Sequence, residues 1–122
     1  MLPHFAAHQQ NSALLTLAWE SQSVRSICED ENHAQRELGA KVAEKLKHRL
    51  ADLSSATSVR DLLVGRPRIA DAEHGRQMLV DLADGYEMLF EVNHPKPPVD
   101  ATGDIDWSRV TRVKIIDIRR NS

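Results

Sequence analysis

The sequence predicts an α+β domain, with helices packed on one face of a mostly antiparallel sheet of four to five strands. Three observations carry that reading. Apolar residues recur every three or four positions over residues 32–54, as on one side of a helix. Apolar and polar residues then alternate on either side of Asp84-Gly85, as in a β-hairpin. Finally, residues 111–118 form a β-branched, apolar run suited to a central strand.

Residues 1–11 show no periodicity and read as a flexible extension, leaving 12–122 as a single domain. Residues 13–19 (ALLTLAW) read as a first strand, buried on both faces. Ser21 or Ser23 can cap a short helix carrying Val24, Ile27 and Cys28. Asn32, with Gln35 three residues on, resembles a capping box that opens one helix running to about Ser54. Leu38, Val42, Leu46, Leu50 and Leu53 form its stripe, and Glu37–Lys41 and Glu44–Lys47 or His48 can pair along its surface. Gly39 would cost about 1 kcal/mol inside that helix, so a close helix–helix contact is expected there. A connector over 57–63 follows, then a short edge strand at 66–70, where Pro67 cannot donate to a central ladder. In the hairpin, Met78, Val80 and Leu82 share one face of the first strand, and Tyr86, Met88, Phe90 and Val92 one face of the second. Residues 93–109 hold three prolines and read as a long loop.

Composition narrows the function. Net charge is −2, and hydrophobic residues make up 41% of the chain, which sets it apart from disordered sequences. The charge is uneven. Residues 81–106 carry one lysine against seven acids, whereas 107–122 carry five cations against one acid. A basic surface must then come from the middle and the C-terminal residues, with the acidic block folded away from it. Cys28 is the only cysteine, and the six histidines follow no metal-binding spacing. The apolar run 12–19 is too short to cross a bilayer, and no basic residues precede it as in a secretory signal, so a cytoplasmic location without membrane attachment is expected. No Gly-rich phosphate loop or nucleophile elbow is present.

Four stretches carry a family resemblance: SICEDENHAQRELGAKVAEKLKHRLADLSSA (26–56), GRPRI (65–69), DLADGYEMLFEV (81–92) and GDIDWSRVTRVKIIDI (103–118). Together they resemble the RelE/ParE toxin superfamily, in its HigB-like branch, whose members are sometimes labelled killer suppression proteins. The resemblance implies a RelE-like fold and the toxin half of a type II toxin–antitoxin pair. It implies a cognate antitoxin, often with a helix-turn-helix domain, and contact with operator DNA only through that antitoxin. RelE-like members cut mRNA on the ribosome without a metal or other cofactor; ParE-like members poison DNA gyrase instead. Two positions differ from the family pattern. Related toxins usually carry an arginine where this chain has Glu87, and a basic residue near Asp71. Three functions follow as expectations: a ribosome-dependent mRNA endonuclease, a gyrase-directed toxin, or a catalytically degenerate antitoxin-binding member.

Cleavage through a ribose 2′-hydroxyl needs cations for the crowded phosphate, a base and an acid. His74, Arg76 and Arg119 are the candidate catalytic residues, and Arg66, Arg68, Arg120 and Lys114 the candidate phosphate contacts. Each has a plainer reading. Arg66 and Arg68 suit an edge strand in water, His74 a surface loop, Lys114 a half-exposed ladder position, and Arg119 and Arg120 a solvated end. Tyr86 fits packing better than chemistry.

Overall fold

A computed structural model describes residues 15–57, 59, 65–70 and 75–121. Strand β1 (Thr16–Trp19) leads into three helices, α1 (Gln22–Glu29), α2 (Glu31–Leu38) and α3 (Ala40–Ser55). Strands β2 (Arg68–Ile69), β3 (Gln77–Asp81), β4 (Tyr86–Val92) and β5 (Arg112–Arg120) follow. They form one mixed sheet in the order β1-β5-β4-β3-β2. Only β1 and β5 run parallel; the other pairings are antiparallel. The expected α+β class and the mostly antiparallel sheet are both observed, and β2 is an edge strand. The extension at 1–11, the start of the first strand, most of the 57–63 connector, Asp71 and His74 lie outside the described residues.

The long helix expected over 32–54 is two helices. Gly39 breaks it with φ 88° and ψ 157°, a region open essentially to glycine alone. A β-carbon placed on Gly39 would meet nothing within 4 Å, so backbone conformation, rather than the expected close contact, explains the glycine. The break also overturns the Glu37–Lys41 pairing. Glu37 and Lys41 fall on different helices; Lys41 reaches Asp84 at 3.4 Å, and Lys47 reaches Glu31 at 3.6 Å. The cap of α2 is Asp30, whose carboxylate accepts from the His33 backbone N–H at 3.1 Å, not Asn32. Ser21 caps α1, accepting from the Val24 N–H at 3.2 Å.

Strand β1 is an edge strand, exposed at Thr16 and half-buried beyond it, not buried on both faces. The hairpin follows its alternation. Met78, Val80, Met88, Phe90 and Val92 join Val113 and Ile115 of β5 in the core, where Val24, Leu46 and Leu53 meet them from the helices. Asp84 (φ 55°) and Gly85 (φ 78°) turn the chain between β3 and β4 with the positive φ values such a tight turn requires. The loop at 93–109 contains a short 3-10 turn (Trp107–Arg109) that brings Trp107 edge-on to Phe90, 6.2 Å between ring centres. Its indole N–H donates to the Gly75 carbonyl at 3.0 Å. His94 fastens the same loop to β5: its Nε2 accepts from the backbone N–H of Thr111 (2.9 Å) and of Arg112 (3.2 Å).

Candidate functional site

The site is built on the sheet face turned away from the helices. Side chains on a strand alternate, so the residues between the core positions share that face. Register sets Asp81 opposite Glu87 across the β3–β4 hairpin, and Glu87 opposite Arg119 across β4–β5. Arg68 of β2 reaches into the same row. Its Nη1 lies 3.0 Å from Asp81 Oδ1 and its Nη2 3.6 Å from Glu87 Oε2. Arg66, at φ 50°, donates from Nε to Asp81 Oδ2 at 2.5 Å. Four strands thus place Arg68, Asp81, Glu87 and Arg119 side by side, with Arg66 at the edge.

The two carboxylates differ. Asp81 is held by both arginines, and the hydrogen bond from Arg66, with the nearby charge of Arg68, holds its carboxyl below the usual range despite partial burial. Glu87 is the one buried charged residue among those described, with 6% of its side chain exposed. Its Oε2 is buried and accepts no hydrogen bond, since 3.6 Å to Arg68 makes an ion pair too long for one. A buried acceptor without a donor is costly, which sets Glu87 apart from the fully paired Asp81.

A β-bulge decides which end of β5 joins this face. Leu89 pairs with Asp117, but Phe90 pairs with Ile115, so Ile116 is skipped. The bulge lets Lys114, Asp117 and Arg119 lie on one face although the first two are an odd three positions apart. Alternation read along the sequence does not reveal it.

Of the sequence candidates, Arg66, Arg68 and Arg119 come together, and the others do not. Arg120 pairs across from Tyr86, on the other side of the sheet, with its guanidinium 4.9 Å from the ring centre. Lys114 lies four positions along the ladder from the row, opposite Glu91, and binds Glu20 at 3.0 Å; that hydrogen bond raises its pKa. Arg76 is exposed at the far end of β3, about 17 Å along the strand from Asp81. The position of His74 falls outside the described residues. Asp81 is not among the sequence candidates, and Glu87 enters the sequence argument as the position where related toxins usually carry an arginine. A signal for both was available: a hairpin turn centred on Asp84 sets residues 81 and 87 opposite one another.

The expectation that the acidic block folds away from the basic segments is overturned. Asp81, Glu87 and Glu91 share a face with Arg68, Lys114 and Arg119, so this surface is mixed in charge rather than basic. The hairpin strands lie between β2 and β5 in the sheet, and register puts their acidic alternates beside the cations of both. Among the described residues, no group of three or more His, Cys, Asp or Glu side chains is placed to hold a metal ion, and no helix is long and apolar enough to cross a membrane. Cys28 is half-buried, and burial pushes its thiol up to about 11, which keeps it un-ionised and a poor nucleophile.

Fold and site together define an α+β protein with a mixed-charge sheet face on which arginines flank a buried, under-bonded carboxylate. Comparison with models of known families, with curated proteins and with solved structures finds no match.

Proposed function

We propose that this protein is the toxin of a type II toxin–antitoxin pair, with a RelE-like fold of the HigB-like branch, and that it cuts mRNA on the ribosome. One observation carries the reading: Arg68 and Arg119 flank Glu87 on the sheet face opposite the core. Phosphodiester cleavage through a 2′-hydroxyl needs cations and an acid–base group, and no metal. Arg119 is exposed at the register position opposite Glu87, where a guanidinium can meet a phosphate. The family resemblance of residues 26–118 supplies the rest: a cognate helix-turn-helix antitoxin as partner, and operator DNA reached through it. The antitoxin would cover the mixed-charge face and so must carry both signs of charge.

The test is induced expression of the chain alone in bacteria, followed by mapping of mRNA 5′ ends on ribosomes. The expected result is growth arrest with new ends inside coding regions, relieved by co-expressing the antitoxin from the neighbouring reading frame. Full expression with normal growth and intact mRNA would remove the toxin reading.

A second reading has its own observation. Asp81 engages both Arg66 and Arg68, which leaves fewer cations for RNA and favours a ParE-like toxin acting on gyrase, or a degenerate member that only binds its antitoxin. Arrest with intact mRNA and lost DNA supercoiling would select the gyrase target.

A further inference from the structure

Glu87 stands where related toxins usually carry an arginine, and its environment gives it work of its own. We propose that Glu87 is the general base of the cleavage, taking the proton of the ribose 2′-hydroxyl; this rests on the nuclease reading above. The two carboxylates of the row divide the tasks. Asp81 is occupied by Arg66 at 2.5 Å and Arg68 at 3.0 Å, and serves to position the arginines. Glu87 has a buried oxygen with no donor, and its only cationic neighbour within 4 Å among the described residues, Arg68, sits at 3.6 Å without a hydrogen bond. An incoming phosphate can draw Arg68 off Glu87 while Asp81 keeps hold of the same guanidinium. That exchange leaves the carboxylate free at the moment substrate arrives. Arg119, directly across the ladder, holds the phosphate from the other side.

The step balances without a cofactor. Glu87 accepts the 2′-hydroxyl proton, and the 2′-oxygen forms a bond to the adjacent phosphorus. The bond from phosphorus to the 5′-oxygen breaks, leaving a 2′,3′-cyclic phosphate. The departing 5′-oxygen takes a proton from water.

The experiment compares wild type, Glu87→Gln, Glu87→Asp and Glu87→Ala on ribosomes programmed with a short mRNA, with ribosome binding and thermal midpoints measured in parallel. A lost general base slows cleavage by roughly 100-fold or more. Glu87→Gln and Glu87→Ala should show that loss with ribosome binding unchanged, and Glu87→Asp should recover part of the rate. Acetate should restore cutting by Glu87→Ala, and chloride at equal ionic strength should not. Wild-type cleavage matched within threefold by Glu87→Gln overturns the base assignment and leaves the nuclease reading intact. An intact mRNA with wild type overturns both. A loss in Glu87→Ala that acetate leaves unchanged, with no recovery in Glu87→Asp, assigns Glu87 to structure and overturns the proposal.

Discussion

The two faces of the sheet are made from the same strands yet do opposite things. Towards the helices, Met78, Val80, Met88 and Phe90 are buried in the aliphatic core. On the other side, the alternate positions nearest the turn put Asp81 and Glu87 beside Arg68 and Arg119, with Leu79 and Leu89 next along the strands. A one-residue slip in strand register would exchange the two sets. The core therefore fixes the site: every kcal/mol that holds Phe90 inward also holds Glu87 outward.

The sharpest way to break this contrast is Phe90→Ala. Phe90 is fully buried, and its truncation should cost about 3–5 kcal/mol, seen as a lower urea midpoint. A cost no larger than that of Glu87→Ala would mean that the helix-covered face does not hold the fold. Next is Gly39→Ala. The glycine conformation at φ 88° and ψ 157° is strained for alanine, and the loss should be about 1–3 kcal/mol, with the charged face unaffected. His94→Ala comes third. It leaves two backbone N–H groups at the start of β5 without their acceptor, at about 1–2 kcal/mol. Burial, with help from the charge of Arg112, lowers the His94 pKa, because the ring must stay neutral to accept. Its contribution is therefore whole above the ordinary histidine value of 6.5 and is lost as pH falls through the lower folded value. Urea midpoints taken across that window should fall for wild type and flatten for His94→Ala. The smallest stability effect is expected for Asp81→Asn, below about 1 kcal/mol, because the pairs it breaks are partly exposed. Its consequence on the charged face is larger than its cost. Releasing Arg66 and Arg68 should raise the salt concentration needed to elute the protein from heparin, and an unchanged elution would show that Asp81 does not hold them in solution.

Much of the fold was legible because strand alternation is a strict period of two. Met78, Val80, Met88 and Phe90 declare the inner face without help from the rest of the chain. The break at Gly39 was hidden because Leu38 and Val42 keep a helical spacing of four across it. The bulge in β5 was hidden because Ile115 and Ile116 are both apolar, so skipping one leaves no trace in the pattern. The site was legible in part. Arg66 and Arg68 follow from an edge strand beside the hairpin, and Arg119 from the length of β5. Arg120 was grouped with Arg119 although neighbours on a strand face opposite ways. The pinning of both β2 arginines by Asp81 depends on how four strands pair, which no single segment encodes.

Strand β1 pairs in parallel with β5, so Thr16 finds its partner 96 residues later, at Arg112. On a chain growing at about 5–20 residues per second, β1 waits roughly 5–20 s for that partner to be made. Arg119 arrives later still, on the same strand. A fragment that stops short of β5 has neither the interior strand that joins β1 to β4 nor the cation opposite Glu87. Synthesis is thus a timer, and a nascent chain cannot carry an assembled site before nearly all of these residues have left the ribosome.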